Sequence, residues 1–235
     1  MDHARTLDVA KLGLVEYQAA LALQYAMVAA RQNDAIADTL LLLEHPHVFT
    51  LGRGAHERFV LANRPSDVPI HRVSRGGEVT YHGPGQLVGY PILKLEGRDR
   101  DVYRYLRNLE EAMIRALGDH DIIGTRREGL TGIWVGAHKI GSIGVGIKRW
   151  TTCHGFALNV CPDLSYFRGI VPCGIAGCEM TSIEVLTHRE VSIEEFAARA
   201  TSRFAEVFGY ARMVIADSAT LWRLIETHPE EHRDA

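Results

Sequence analysis

The stretch GIVPCGIAG, residues 169–177, sets a cysteine between a proline and a glycine, where neither helix nor strand is favoured. Buried structural cysteines sit inside apolar elements and behave as small hydrophobes. Pro172 fixes φ just before Cys173, and Gly174 after it leaves the thiol unshielded, so this sulfur is presented rather than packed. Such a thiol suits nucleophilic chemistry, provided a neighbour converts it to thiolate. The other cysteines read differently. Cys153 and Cys161 flank HGFALNV and look like semi-buried fillers. Cys178, five residues beyond Cys173, is a bystander able to join it in a stress disulfide. No C-x-x-C pair is present and the spacings match no zinc finger or ribbon, so no metal is expected.

The activating neighbour can be sought among the lysines. The chain has 22 Arg but only four Lys: Lys11, Lys94, Lys139 and Lys148. Arg does not release its proton in a protein, whereas Lys does when desolvated. Lys11 and Lys94 need nothing beyond solvation, and Lys148 with Arg149 faces solvent or an acidic partner. Lys139 opens a strand directly after the turn GAH, 136–138, and Gly141, Gly144 and Gly146 thin that strand. Glycine within a strand often marks close approach of a ligand or another backbone. Lys139 as a cation would stabilise a Cys173 thiolate; as a neutral amine it would take the thiol proton. His82 or His154 would serve equally in the manner of Cys–His hydrolases, and spacing alone does not choose among the three.

A third stretch, RGGEVTYHGPGQ, 75–86, packs four glycines and a proline around an Arg and a His. Glycine lets backbone approach a ligand and adopt positive φ, so this reads as a binding loop. It is neither a phosphate-binding P-loop, since G-x-x-x-x-G-K-[ST] is absent, nor a dinucleotide fingerprint.

These residues must be held by a scaffold. Leu14, Tyr17, Leu21, Tyr25 and Val28 recur at helical spacing and predict an amphipathic helix over 14–33. TLLLLEH, 39–45, predicts a buried strand, and HPHVFTLGRG, 45–54, a turn, a short strand and a glycine stop. Residues 55–70 read as loop, and 71–95 as strand, glycine-rich loop, strand. A helix over 101–118 is expected with Asp101 as N-cap and Gly118 as stop. Strands are expected at 133–135, 139–147 and 156–160, with a hairpin turn at 136–138. Thr181-x-x-Glu184 and Ser192-x-x-Glu195 announce two helices, the second reaching about Phe208. The polar tail from about 227 is expected to fray. Strands and helices mix without βαβ alternation, which predicts an α+β fold with a mixed or antiparallel sheet and helices on one side.

Length and composition agree with one catalytic domain spanning 1–235. Hydrophobic residues make up 46%, enough for a sizeable core, and the net charge of −3 argues against a nucleic-acid binder. The start has no apolar signal region and the longest aliphatic run is four leucines, so a cytoplasmic protein without membrane span is expected.

Taken in order, EHPHVFTLGRG, RGGEVTYHGPGQLVGYPIL, TGIWV, HKIGSIGV, RWTTCHGFALNV and VPCGI resemble the lipoyl(octanoyl) transferases of lipoic acid biosynthesis over most of the chain. The resemblance implies the fold of the biotin and lipoate protein ligases. It implies transfer of octanoyl from acyl carrier protein to a specific lysine of a lipoyl domain. Such domains occur in the E2 subunits of 2-oxoacid dehydrogenases and in the glycine cleavage H protein. Cys173 falls on the acyl-thioester position and Lys139 on its partner lysine. Substrate contacts fall on Arg75, Gly76, Gly77, Glu78, Val79, Thr80, Tyr81 and His82, on Ser142, Ile143 and Gly144, and on His154, Gly155 and Phe156. No cofactor is implied, neither metal nor ATP, and a monomer is the expectation. Within this picture Val79, Ile143 and Phe156 are expected to line an apolar slot, and backbone N–H groups near Cys173 or in the RGG loop to serve an oxyanion. Arg72, Arg75, Arg126, Arg127, Lys148 and Arg149 are candidates for a basic patch facing acidic protein partners. The pattern departs from the family at His47, where a second proline is common, and at Cys178. Two alternatives stay open: an ATP-dependent lipoate or biotin-type ligase on the same fold, and a Cys–His thioesterase or amidase.

Overall fold

Four consecutive leucines in TLLLLE do not alternate with polar residues, so the strand they form must be covered on both faces. In the computed structural model, which describes residues 5–227, this strand is β2 (Thr39–Glu44). Leu40 and Leu42 enter one apolar cluster, Leu41 and Leu43 the opposite one. β2 lies inside an eight-stranded mixed sheet built from β1 (Thr6–Leu14), β2, β6 (Gln86–Ile92), β7 (Thr125–Arg127), β8 (Leu130–Val135), β9 (His138–Lys148), β10 (Thr151–Asn159) and β11 (Arg212–Ile215). Their order is β11-β1-β2-β6-β10-β9-β8-β7. The β1 pairings with β2 and β11 are parallel, and the run from β2 to β7 is antiparallel. A separate small sheet, order β4-β3-β5, holds β3 (Val48–Leu51), β4 (Ile70–Arg72) and β5 (Val79–His82).

Helices cover both faces of the large sheet, not one side as the sequence led us to expect. On one face lie α2 (Val102–Gly118) and α4 (Ile193–Phe208), burying Leu109, Met113, Phe196 and Phe204 against Leu40, Leu87 and Leu158. On the other lie α1 (Tyr17–Gln32) and α5 (Ser218–Thr227), burying Leu23, Met27 and Leu221 against Leu41, Val88 and Ala157. Each fully buried Leu or Phe contributes about 1.5–3 kcal/mol. The architecture is α+β with a mixed sheet.

Local signals were accurate where a side chain caps a helix. Asp101 accepts from Arg104 N at 3.0 Å, and Ser192 from Glu195 N at 3.1 Å. The short helix α3 (Ile183–Thr187) is capped by Ser182, which accepts from Val185 N, and not by Thr181. The Thr181 backbone is already engaged, its N–H donating to Lys139 O. Four elements carried no sequence expectation: β1, β7, β11 and α5. The tail expected to fray beyond 227 lies outside the described residues. No helix among the described residues is long and apolar enough to cross a membrane.

Candidate active site

Lys139 sits at the start of β9, just past the turn formed by Gly136 and Ala137. Pairing between β9 and β10 begins only at Gly141, so the flank of Lys139 toward β10 is vacant. The segment 179–181 fills it: Lys139 N donates to Glu179 O at 2.8 Å and Thr181 N to Lys139 O at 2.9 Å. This clasp returns the chain to β9 and carries residue 173 to residue 139. Lys139 is fully buried, its Nζ 2.8 Å from Cys173 Sγ and 5.0 Å from the centroid of the Trp134 ring. Its stem occupies space that only a glycine leaves, since a Cβ on Gly132 would fall 2.8 Å from Lys139 Cε.

Cys173 lies in a tight 3-10 turn over Pro172–Gly174, with φ 55° and ψ 18°. A non-glycine residue in this left-handed region costs on the order of 1–3 kcal/mol and tends to mark function. Hydrogen bonds from Gly174 N to Val171 O and from Ile175 N to Pro172 O hold the turn. The thiol is half-buried, less exposed than the unshielded sulfur the sequence led us to expect.

The RGG loop is organised from within. Arg75 is buried and gives its guanidinium to Thr50 O, Thr50 Oγ1, Gly76 O and Glu78 O at 2.7–3.0 Å. A Cβ on Gly144 would fall 3.0 Å from Arg75 Cδ, and one on Gly52 would fall 2.1 Å from Gly77 O. Two of the site's glycines thus make room for an arginine and a loop of the protein itself. Arg75 therefore cannot belong to an exposed basic patch. Arg126 is also otherwise engaged, with Glu110 at 3.0 Å and Glu111 at 2.6 Å. The amides of Gly76 and Gly174, two of the backbone groups near Cys173 and in the RGG loop, already donate to Val145 O and Val171 O.

The loop, β5, β9, β10 and the Cys173 turn enclose a cavity of about 230 Å³. Arg75, Gly77, Glu78, Val79, Thr80, His82, Ser142, Ile143, Gly144, His154, Gly155, Phe156 and Cys173 line it. Gly76 and Tyr81 do not. Gly76 ties the loop to β9, and Tyr81 points to the opposite face of β5, where its hydroxyl meets His47 Nδ1 at 2.7 Å. Successive strand residues face opposite sides, so the contiguous run 75–82 cannot all reach one cavity. Tyr17, Tyr90, Leu130 and Ile175 also line it, although no local motif announces them. Tyr17 reads as one more apolar position of a helix stripe, and Tyr90 as a strand residue.

The two histidines differ from Lys139. His82 Nδ1 meets Gln86 Oε1 at 2.7 Å, and His154 Nε2 meets Ser74 Oγ at 3.1 Å. Burial, aided by the nearby Arg75 charge, drives both down to about 3, leaving them neutral at neutral pH. Among the described residues, Lys139 is the basic side chain hydrogen-bonded to Cys173.

Residues 16–205 match the family model for the lipoyl protein ligase A/B catalytic domain. An octanoyltransferase of Solibacter usitatus (strain Ellin6076) is 49% identical over 210 residues, covering 88% of this chain and 94% of that one. The chain belongs to the octanoyltransferase family. Another member, from Syntrophotalea carbinolica, is 48% identical and covers 84% of this chain and 92% of its own. Among solved structures, lipoate-protein ligase A bound with ATP superposes with a TM-score of 0.72 at 16% identity, covering 99% of this chain and 97% of that one. A bipartite lipoate protein ligase from Thermoplasma acidophilum gives 0.71 at 15%, covering 95% and 92%. At such identities the likeness speaks for the fold alone, which is that of the lipoate ligases. An octanoyltransferase is an acyltransferase, and on this scaffold the cysteine, the buried lysine and the cavity meet at one point.

Proposed function

We propose that this octanoyltransferase carries octanoyl as a thioester on Cys173, taking it from acyl carrier protein and delivering it to a lysine of a lipoyl domain. The observation that carries the reading is the 2.8 Å contact between Lys139 Nζ and Cys173 Sγ at the wall of the cavity. Lys139 takes the thiol proton and Sγ attacks the donor's thioester carbonyl. The tetrahedral intermediate collapses, the carrier thiolate leaves, and it receives the proton back from the Lys139 ammonium. Exchange between two thioesters is nearly isoenergetic, so this half-reaction runs in both directions. In the second half the neutral amine of the acceptor lysine attacks the Cys173 thioester. Sγ departs, and the proton released by the amine passes to the Lys139–Cys173 pair. Val79, Ile143 and Phe156 give the acyl chain an apolar surface, and fixed backbone N–H groups stabilise the oxyanion.

A ligase on the same fold would adenylate a free acid and has no use for a nucleophilic thiol beside a buried lysine. A Cys–His hydrolase would place an imidazole, not an ammonium, against the sulfur. The test is intact-protein mass spectrometry after mixing the enzyme with octanoyl-acyl carrier protein, without ATP, then adding a lipoyl domain. One octanoyl adduct, lost in Cys173→Ser and discharged onto the acceptor, is expected. Acceptor modified only when ATP and free acid are supplied would sink the transferase reading.

A further inference from the structure

Among the buried charged groups outside the cavity, Glu110 on α2 stands closest to the chemistry. Its side chain is fully buried. Oε2 accepts from Arg107 Nη1 and, at 3.0 Å, from Arg126 Nε, while Oε1 accepts from Gly132 N at 3.1 Å. Gly132 is buried, has φ +135°, and lies just before the β8–β9 ladder, whose pairing starts at Ile133. Its N–H donates to the carboxylate, and without that acceptor a buried donor would lose its hydrogen bond. The other end of the same peptide unit is Thr131 O, which faces Lys139 Nζ at 3.5 Å. The buried carboxylate holds the N–H, the peptide plane fixes the carbonyl opposite to it, and the carbonyl faces the Nζ that meets Cys173.

We infer that Glu110 is a positioning residue for the Lys139–Cys173 pair, acting through the 131–132 peptide. This rests on the Cys173 thioester reading. The peptide has the freedom to turn, because Gly132 has no Cβ, lies where the β7–β8 register is irregular, and precedes the first β8–β9 pair at Ile133. Its orientation is set by Glu110 from one side and by Lys139 from the other. Turned over, Thr131 O would leave the Lys139 nitrogen. Lys139 Nζ would then lose its second acceptor and with it the constraint that aims it at Sγ.

Glu110→Gln separates this role from packing. The new side chain has nearly the same shape but one acceptor. Two guanidinium groups draw its oxygen to the Oε2 position, which leaves its NH2 against Gly132 N–H. Two donors face to face drive the 131–132 peptide to turn. Expected are a crystal structure with that peptide reversed, a fall of roughly tenfold in kcat with KM for the octanoyl donor unchanged, and a similar fall in the rate of Cys173 alkylation by iodoacetamide. A loss of packing alone would lower thermal stability and leave the alkylation rate of the folded enzyme at the wild-type value. Glu110→Asp is the second variant: it keeps a charge for the arginines but withdraws the oxygen from Gly132 N, and the same kinetic signature is expected. An unreversed peptide in the Gln variant, or normal kcat and alkylation in either variant, overturns the inference. If the wild-type enzyme itself forms no octanoyl adduct on Cys173, the thioester reading fails, while the peptide orientation remains testable by the crystal structure alone.

Discussion

Cys153 and Cys173 share one chain and almost opposite fates. Cys153 lies within β10, 6% exposed, with Gln24 Oε1 at 3.7 Å from its sulfur. Burial pushes its thiol up to about 12, so it remains protonated and inert at neutral pH. Cys173 lies in a turn with a left-handed backbone, half-buried, with Lys139 Nζ at 2.8 Å from its sulfur. Residue type is identical, and the difference is the element and the partner. A strand between two helical layers makes cysteine a filler; a proline-led turn at a cavity wall gives it the setting of the proposed nucleophile.

The sharpest way to break this contrast is to remove each sulfur in turn. Cys173→Ser is expected to lower octanoyl transfer by about 10³-fold or more. Cys153→Ala is expected to leave kcat intact and cost about 1 kcal/mol of stability. Iodoacetamide at neutral pH should label Cys173 and spare Cys153, and equal labelling of both by mass spectrometry would abolish the distinction. Next in size is the partner. Lys139→Arg keeps the charge but removes a group able to take a proton, and a fall of about 10²-fold in transfer is expected. Near-normal rates would reduce Lys139 to an electrostatic role.

A smaller effect concerns stability around the cavity. His45, His82 and His154 are held at about 4, 3 and 3 by burial, below the ordinary 6.5. The folded protein thus binds fewer protons than the unfolded chain. Their contribution to stability is complete above pH 6.5 and is lost progressively as pH falls toward 4 and then 3. Tm should therefore fall between pH 6.5 and 4, and less steeply in His82→Gln; a flat profile would contradict neutral burial.

The smallest effect is expected at the tip of the β9–β10 hairpin. Lys148 and Arg149 were expected to serve an acidic partner, but Lys148 stands nine residues along β9 from Lys139. That is about 30 Å at strand spacing. Charge reversal of both should change KM for the carrier-bound donor by less than about threefold, with the salt dependence of KM as the second readout. A tenfold rise would put the donor's docking surface at the tip.

How legible the molecule was in its sequence depended on the range of the interaction. Asp101 and Ser192 could be placed as caps because an N-cap bond joins residues three apart. Thr181 could not be excluded as a cap, because what engages it is Lys139, 42 positions earlier. The short strands β7 and β11, and the longer β1 that pairs with β11, were missed because their pairing partners, not their own pattern, make them strands. Helices on both faces were missed because the one-sided expectation came from the order of strands and helices, although the leucine run in β2 feeds both apolar clusters.

By itself, the sequence determined the inventory: a proline–cysteine–glycine turn, one lysine set off among 22 arginines, and glycines spaced along strands. These are local properties of backbone freedom and side-chain chemistry, and they travel with the residues. Only the tertiary structure decided which base meets the thiol, which residues of 75–82 face the cavity, and what the glycines accommodate. It brought Lys139 to Cys173 through the clasp at 179–181, and it turned His82 and His154 to Gln86 and Ser74. The physical reason is distance along the chain. Hydrogen bonds and buried charges act over a few ångströms of space, and the 34 positions that separate Lys139 from Cys173 carry no local record that the two will meet.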